Sequence, residues 1–368
     1  MNTINKTKIN SLYIHIPFCS KICPYCDFVK VIDNNSFKSK YIEELIKDIC
    51  SLEKERYFFN TIYIGGGTPT VLSNVQLDRL LSELDKVKTN ETEFTIEGNP
   101  ESITEDKLKI LKKHNVNRIS IGIQSFNKKI LRSINRDYNI DVFKLIKLVK
   151  KYINNINVDF IYGLPEQTFE DIKDDLRKFI TLDVNHISIY SLILESGTMF
   201  FKNGVQEIPD DLNRKYYDYI VDFLRNNNYN RYEVSNFCKD GYESKHNLTY
   251  WKDNEYIAIG VGASGYVKNI RYKNSSSLTS YLNSKRIREE EVVNSEDDYE
   301  YFLICNLRLE AGFDLKEFED KFHFNLVKAK EEVVNKLIDD GLVVIQNNRF
   351  RCTDEGIALL DMVILKLI

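Results

Sequence analysis

Apolar and polar positions alternate along the first half of the chain with two periods, one of about two residues and one of about 3.6 residues. The short runs of period two, rich in β-branched and aromatic residues, predict strands, and the amphipathic stretches between them predict helices. Strand–helix alternation of this kind predicts an α/β fold with a parallel sheet covered by helices. The predicted strands are residues 12–16, 61–64, 93–97, 118–123, 158–161 and 187–190, and the predicted helices are residues 38–54, 75–84, 105–114, 140–152 and 169–181.

Capping residues stand where several of these helices begin. Ser73 and Asn74 precede the second predicted helix, Thr104 the third and Asp141 the fourth, and side chains of this type accept hydrogen bonds from the first turn. Six strand–helix units are two fewer than a closed (β/α)8 barrel contains. The pattern is therefore compatible with an open barrel and with a doubly wound sheet.

The last third of the chain has a different pattern. A mixed region over residues 210–285, with a short strand predicted at residues 232–234, is followed by an acidic stretch over residues 289–300. Helices followed by a small hairpin predict a winged-helix-like α+β module, with helices at 299–308, 314–322 and 326–341, a hairpin at 342–352 and a last helix at 354–368. The predicted domains are a core barrel over 1–235, a connecting region over 236–290 and the C-terminal module over 291–368.

Composition narrows the class of protein. A net charge of −4 over 368 residues argues against non-specific binding to nucleic acid, and no run of about 18 apolar residues predicts a membrane span. Residues 1–6 lack the apolar core of a secretory signal. Seven cysteines, three of them clustered, favour a reducing cytoplasm over a disulfide framework. The other four are predicted to be core packing residues, namely Cys50, Cys238, Cys305 and Cys352.

Three cysteines form a C-x3-C-x2-C run directly after the first predicted strand, namely Cys19, Cys23 and Cys26. A cubane iron–sulfur cluster takes Cys thiolates as ligands, and three ligands leave its fourth iron open. A closed zinc site needs four ligands, so zinc would require His15 or a distant residue such as Cys50. A chance spacing of unrelated thiols is the third alternative. The spacing favours a cluster.

Further polar and glycine-rich motifs follow the ends of successive predicted strands, where active sites of parallel βα folds form. Three glycines after the second strand let backbone approach a ligand closely, although a tight turn also explains them. Glu97 and Asp159 occupy strands that read as otherwise apolar, so each needs a partner: a structural salt bridge or a ligand. The motifs are residues 65–70, 97–101, 124–126, and Asp159 with residues 162–165.

The segment from Tyr13 to Phe28 resembles the signature of the radical S-adenosylmethionine (SAM) superfamily, in the branch of the oxygen-independent coproporphyrinogen III oxidases and the heme chaperones. The resemblance implies a partial (β/α)6 barrel of the TIM-like type. It also implies that the amino and carboxylate groups of SAM chelate the open iron of a [4Fe-4S] cluster. The positions that it implies for SAM or a second ligand are Tyr13, Tyr25, Gly66, Gly67, Thr68, Glu97, Gln124, Arg136 and Asp159.

The motif His246-Asn-Leu-Thr-Tyr-Trp251 resembles one that marks the heme-chaperone branch. A lone histidine is more often a satisfied polar group than a ligand. Histidine is nevertheless a common axial ligand of heme iron, and Tyr250 and Trp251 could stack on a macrocycle. His246 is therefore the predicted heme ligand.

Departures from the oxidase and chaperone patterns distinguish the two branches. The oxidases have an extra cysteine where this chain has Phe28, and a longer extension than the twelve residues before Tyr13. The Leu-Gly-Arg-x-His segment of the chaperones reads Ile134-Asn-Arg-Asp-Tyr138 here, so that the glycine and histidine are replaced while Arg136 is kept. The resemblance extends over almost the whole chain, including residues 306–313 of the C-terminal module.

The resemblance implies a cytoplasmic heme chaperone that binds a [4Fe-4S] cluster, SAM and heme. Its expected partner is a heme-acceptor protein, for example a respiratory enzyme at the membrane. The enzyme alternative is oxidative decarboxylation of coproporphyrinogen III. A third class, a DNA-binding protein with a redox-sensing cluster, rests on the winged-helix prediction, and a bare fold is weak evidence of function.

Overall fold

The structure is a computed structural model that describes residues 9–368. The expectation that residues 1–6 are not a secretory signal lies outside this range. Within it, no helix is both long and apolar enough to cross a bilayer.

Seventeen strands are present in the described range. In chain order they are β1 Ser11–Ile16, β2 Phe18–Cys19, β3 Val31–Ile32, β4 Phe59–Gly66, β5 Lys88–Gly98, β6 Arg118–Gln124, β7 Asn155–Tyr162, β8 His186–Ser191, β9 Asn230–Glu233, β10 Asn236–Cys238, β11 Ile257–Ile259, β12 Ser264–Val267, β13 Ile270–Asn274, β14 Arg288–Val292, β15 Phe313–Asp314, β16 Val343–Gln346 and β17 Arg349–Cys352.

Sixteen α-helices connect or flank these strands in the same range. They are α1 Asn35–Lys54, α2 Asn74–Leu84, α3 Glu105–Lys113, α4 Lys128–Ser133, α5 Val142–Val149, α6 Phe169–Leu182, α7 Met199–Lys202, α8 Asp210–Arg225, α9 Lys245–Trp251, α10 Leu278–Leu282, α11 Ser295–Asn306, α12 Leu315–Phe322, α13 Leu326–Ala329, α14 Glu331–Asp339, α15 Asp354–Ala358 and α16 Leu360–Leu367. The caps predicted at Ser73, Thr104 and Asp141 are confirmed, because each side chain accepts a backbone N–H of the first turn.

Nine strands form the main sheet, in the order β11-β1-β4-β5-β6-β7-β8-β10-β9. The six predicted strands are its parallel centre, β1 and β4–β8, and the prediction of a partial (β/α)6 barrel is confirmed. Of three short edge strands, β9 overlaps the short strand predicted at residues 232–234, whereas β10 and β11 were not predicted. β11 extends the sheet in parallel beside β1, while β10 and β9 continue it antiparallel beyond β8.

The two faces of the central strands have opposite chemistry. The outward positions are apolar and fully buried under the helices, as at Phe94 and Ile119. The inward positions are polar: Glu97 is level with Ser120 and Asn157 in the register of β5, β6 and β7. The expectation that Glu97 and Asp159 interrupt apolar strands was therefore wrong about the inner face, because the apolar residues of those strands point outward and polar residues surround both carboxylates.

Helix α9, which carries the His246–Trp251 motif, lies against the amino-terminal ends of β1, β4 and β5 on their inner side. The Glu93 carboxylate accepts the backbone N–H groups of Lys245 and His246, each at 3.0 Å. Ser11 Oγ and Thr249 Oγ1 are 2.8 Å apart. These contacts fix α9 at the end of the barrel opposite the cysteine loop.

The C-terminal module has its own core and a three-stranded sheet in the order β15-β17-β16. The predicted hairpin is confirmed as β16 and β17. The helices predicted at 326–341 and 354–368 are each broken into two, at Lys330 and Leu359. Arg231 of the core contacts Glu310 at 2.6 Å and Asp354. The predicted domain boundaries stay predictions, and β10 pairs with β8 across the one at 235/236.

Candidate functional site

The cysteine loop is held at the carboxyl end of β1 by neighbouring elements. Cys19 lies in β2, which pairs with β3 on the far side of the loop. Thr68 Oγ1 is 3.7 Å from Cys19 Sγ, and Arg136 Nε donates to Cys23 Sγ at 3.1 Å. The glycine motif and the segment after α4 therefore both contact the cysteines, as the convergence of strand ends predicted.

The donor set fits a cluster better than a single zinc ion. All seven cysteines are free thiols, and Cys19, Cys23 and Cys26 line one cavity. Four ligands 2.3 Å from one zinc would lie about 4 Å apart, whereas within residues 9–368 the three thiols are not gathered within 4.8 Å of one another. A cubane separates its ligands more widely.

Neither residue considered as a fourth zinc ligand completes the set. His15 Nε2 is bonded to the Val29 carbonyl at 2.7 Å, and its Nδ1 is 3.1 Å from the Tyr13 hydroxyl. Cys50 lies on α1, where its thiol contacts Glu83 at 3.7 Å. Neither side chain would therefore occupy the fourth iron of a cluster held by the three cysteines.

Burial favours the protonated form of two of the three thiols in the cysteine loop. It raises the pKa of Cys19 to about 11, and it raises the pKa of Cys26 as well. Thiolates at these positions need nearby positive charge, since desolvation penalises the charged form. Iron would supply that charge, and the Arg136 guanidinium lies beside Cys23.

Two adjoining cavities receive the predicted ligand-binding residues. The first, about 370 Å³, is lined by the three cysteines and eight of the ten predicted cofactor positions: Tyr25, Gly66, Gly67, Thr68, Glu97, Gln124, Arg136 and Asp159. The second, about 430 Å³, contains the remaining two, Tyr13 and His246. Glu97 and Gly66 line both. Thirteen residues spread over 234 positions of the chain thus meet in one continuous site.

The glycine motif is packed against protein as well as facing the cavity. Gly66 has φ +109°, and a Cβ there would meet the His15 ring. A Cβ on Gly67 would lie 2.8 Å from the Phe18 carbonyl oxygen. The Gly66 N–H donates to Glu97 Oε2 at 3.1 Å. These glycines therefore allow the cysteine loop, β1 and β4 to approach one another.

Glu97 is held by two donors at the junction of the two cavities. Tyr63 Oη donates to its Oε1 at 2.8 Å, and Gly66 N–H donates to Oε2. Burial, partly offset by the Tyr63 hydrogen bond, raises the pKa of Glu97 to about 7. The carboxyl group can therefore exchange a proton near neutral pH, or accept a cationic ligand group that restores its charge.

Asp159 and Gln124 complete the opposite wall. Asp159 accepts from Asn157 Nδ2 at 2.7 Å and from Ser120 Oγ at 3.1 Å, and burial raises the pKa of Asp159. Gln124 has φ +68° at an irregularity in the β6–β7 pairing. A non-glycine residue in this conformation is strained, and such strain is common at ligand sites.

The departure from the family pattern at residues 134–138 is accommodated structurally. Asn135 stands where the family has glycine and adopts φ +57°, a left-handed conformation that Asn tolerates better than most residues. Its Nδ2 donates to the Ile22 carbonyl of the cysteine loop at 2.9 Å. Tyr138, in place of histidine, donates its hydroxyl to the Ile123 carbonyl at 3.2 Å. Arg136 keeps its position at Cys23.

His246 is fully buried at the inner end of α9. Its Nδ1 is 2.8 Å from Thr61 Oγ1, its Nε2 is 2.7 Å from Tyr250 Oη, and its ring stacks on Tyr63 at 5.1 Å between centroids. Burial lowers the pKa of His246 to about 3. Both nitrogens of the neutral ring are occupied, so ligation of heme iron would require Thr61 or Tyr250 to move. The predicted heme ligation by His246 stays a prediction.

Several inner-wall residues were missed by the sequence interpretation. They lie on inward positions of the central parallel strands. The period-two alternation could have found them, had every polar position of each strand been assigned to one face. The missed lining residues include Tyr63, Arg118, Ser120, Asn157 and Ser188.

Comparison with known proteins identifies the families that this chain resembles. The family model described as the radical SAM superfamily matches residues 13–179, and the HemN C-terminal domain matches residues 293–359. The heme chaperone HemW of Lactococcus lactis subsp. lactis is 43% identical over 96% of this chain and 95% of that protein. The heme chaperone HemW of Bacillus subtilis is 34% identical over 95% of this chain and 96% of that protein.

A solved structure supports the fold assignment. The coproporphyrinogen III oxidase HemN from Escherichia coli, described as a radical SAM enzyme, superimposes with a TM-score of 0.84. The match covers 98% of this chain and 90% of that one at 22% sequence identity. At this identity the likeness is evidence of a shared fold, including the C-terminal domain.

Proposed function

The chain belongs to the radical SAM superfamily and, within it, to the family of proteins named heme chaperone HemW, and from this we propose that it binds heme and transfers it to acceptor proteins. Membership of the superfamily implies a [4Fe-4S] cluster and SAM. We propose Cys19, Cys23 and Cys26 as the cluster ligands. The cluster would supply an open iron for SAM, beside the glycine motif and Glu97.

One observation carries the preference for a chaperone over an oxidase: Phe28 takes the place of the extra cysteine of the oxidases. Its side chain is 65% exposed at the rim of the first cavity. Ile193, which follows β8 and lines the same cavity, is also 65% exposed. Two large exposed apolar side chains lining one cavity offer contact surface to a flat apolar ring system.

The rim also carries positive charge. Lys21 and Lys30 line the first cavity, and their ammonium groups donate to backbone carbonyls, that of Lys21 to Asp137 and that of Lys30 to Phe28. A heme carries two propionates on one edge of an apolar macrocycle. We propose that heme binds at this rim, with the macrocycle between Phe28 and Ile193.

The proposed heme site can be tested by titrating the anaerobically reconstituted protein with hemin and recording the Soret band. Phe28→Ser should weaken binding about ten-fold, since a buried aromatic contact is lost. Phe58→Ser, a change at a half-exposed phenylalanine outside both cavities, is the matched control. Equal heme affinity in both variants would contradict the proposed position.

The oxidase alternative is tested by the same preparation, incubated with SAM, a reductant and coproporphyrinogen III. We expect no protoporphyrinogen above the level of a Cys23→Ala variant. Robust turnover would overturn the chaperone proposal.

Transfer requires an acceptor, which we propose to be a heme-requiring respiratory enzyme at the membrane, with the chaperone itself in the cytoplasm. The seven free thiols support a reducing compartment. Heme-loaded protein mixed with membranes from a heme-starved culture should lose its Soret band while the pelleted membranes gain one. Retention of all heme by the protein would contradict transfer to a membrane acceptor.

A further inference from the structure

A buried arginine with open hydrogen-bond donors lies at the floor of the first cavity. Arg118 is the first residue of β6, is 1% exposed and lines the cavity. Its Nε and one terminal nitrogen have no hydrogen-bond partner within residues 9–368. A guanidinium stays charged at all physiological pH values and presents its donors in a rigid fork. Desolvated donors of this kind call for an anionic acceptor.

The acidic residues of the same cavity interact with the Arg118 charge but do not fill its fork. The Glu97 oxygens accept from Tyr63 and the Gly66 N–H, and the Asp159 oxygens accept from Asn157 and Ser120. Burial raises the pKa of both carboxyl groups, and the Arg118 charge partly offsets that rise. Glu97 lies one row above Arg118 in the register and Asp159 two rows above it. No carboxylate within residues 9–368 hydrogen-bonds the open nitrogens of the guanidinium.

The register shows how the floor is built. Arg118 is level with Thr95 on one side and Asn155 on the other. The hydroxyl of Thr95 and the carbonyl oxygen of the Asn155 side chain are likewise buried, and neither has a hydrogen-bond partner in the part of the chain that the structure describes. In the row above, Asn157 Nδ2 donates to Ser120 Oγ and to Ser188 Oγ, at 2.7 and 2.9 Å. The guanidinium of Arg118 therefore lies below Ser120, Asn157 and Ser188, whose side chains line the first cavity.

We propose that the floor of the first cavity is a carboxylate-binding subsite centred on Arg118. A planar carboxylate matches the guanidinium fork with two parallel hydrogen bonds. A phosphate is disfavoured because Glu97 and Asp159 face the same cavity and repel a second negative charge. Heme, whose binding rests on the proposed function, carries two propionates and is the occupant that we propose. SAM also carries a carboxylate, but the family resemblance places that group on the cluster iron, so SAM is the alternative that the test distinguishes.

The test uses the full chain with its cluster reconstituted, as wild type, Arg118→Met and Arg118→Lys. Four probes are titrated: hemin, hemin dimethyl ester, SAM and decarboxylated SAM. Hemin dimethyl ester and decarboxylated SAM each lack the free carboxylate that the subsite would bind. Arg231→Met is the matched control, since Arg231 is also a buried arginine but pairs with Glu310 outside the cavity.

We expect Arg118→Met to weaken one carboxylate-bearing probe about ten-fold or more and to leave its carboxylate-free counterpart unchanged. A loss for hemin but not for its ester identifies a propionate as the occupant. A loss for SAM but not for decarboxylated SAM identifies the methionine carboxylate. Arg118→Lys, which keeps the charge and loses the fork, should fall between wild type and Arg118→Met, and it serves if the methionine variant does not fold.

Unchanged affinity for all four probes, together with a lowered melting temperature, would overturn the subsite and leave Arg118 with a structural role alone. Equal weakening of both members of a pair would also overturn it, because the lost contact would not be the carboxylate. Absence of heme binding by the wild type would contradict the proposed function, while the SAM pair would still decide the subsite.

Discussion

The outer and inner faces of the six parallel strands differ in nearly every property, although their residues alternate along the same backbone. The outer face is apolar, fully buried and continuous with the helices. The inner face carries hydroxyls, amides, carboxylates and Arg118, some without partners. In many (β/α)8 barrels branched apolar side chains fill the interior. Here the packing that stabilises the fold lies outside the barrel and the groups that bind ligands lie inside, so the two can be perturbed separately.

The largest expected effect comes from comparing cysteines that line the first cavity with cysteines that do not. Cys19→Ala, Cys23→Ala or Cys26→Ala should abolish the iron–sulfur absorbance of the reconstituted protein, because a ligand is removed. Cys352→Ala, at a thiol buried in the C-terminal module, should leave the absorbance intact, as should Cys50→Ala. Full iron and sulfide content in any of the three cavity variants would refute the ligand assignment.

Neighbouring residues of β5 compare the faces directly. Phe94→Ala on the outer face should lower the free energy of unfolding by about 3–5 kcal/mol, since it leaves a cavity under the helices. Thr95→Val on the inner face should change it by less than about 1 kcal/mol, because the buried Thr95 hydroxyl has no hydrogen-bond partner among the described residues. Urea unfolding of both variants measures the contrast, and similar losses would show that both faces carry the core.

The inner face should also make stability depend on pH. The pKa of Glu97 is raised to about 7, so between about pH 4.5 and 7 the native state keeps a proton that the unfolded state has lost. The free energy of unfolding therefore falls as pH rises through this window, by about 2–3 kcal/mol.

Glu97→Gln should remove most of that decline in the protein without SAM, measured by urea unfolding at pH 5 and pH 8. Glu91→Gln, at an exposed position of the same strand, should retain it. A decline of the same size in Glu97→Gln would assign the pH dependence to other buried acids.

The smallest expected effect concerns the rim, where the faces meet the loops. Asn135→Gly should change the free energy of unfolding by less than about 1 kcal/mol, because glycine adopts φ +57° without strain but loses the bond to Ile22. Asn135→Val should cost more, since a β-branched side chain disfavours a left-handed backbone. Equal stability of the two variants in thermal unfolding would show that backbone conformation is unimportant here.

The central strands and the rim could be predicted because both depend on local pattern. Apolar periodicity located β1 and β4–β8, and parallel strands bring their carboxyl ends to one rim whatever their exact order. The edge strands β10 and β11 could not be found, because strands of three residues have too little periodicity to detect. Their positions depend on pairing with β1 and β8, which are distant in sequence.

The chemistry of the inner wall was harder to infer for a related reason. Glu97 was identified because it ends a strand beside a motif, whereas Arg118 begins a strand and resembles an ordinary flanking charge. Only the register places Arg118 beside Thr95 and Asn155. The partners of His246 likewise come from β4 and α9, 185 positions apart in sequence.

The attachment of α9 to the amino-terminal ends of the first strands has a consequence for the order of synthesis. Ser11 meets Thr249 across 238 positions, and β1 pairs with Ile257–Ile259. A chain emerging from the ribosome therefore exposes the free edge of β1 and the hydrophilic lumen to water until more than two thirds of it has been made. Contacts of such long range are slow to form, and nascent chains with open edges are prone to aggregate. Completion of the lumen, and with it any loading of ligands, is thus a late event in the life of each new molecule.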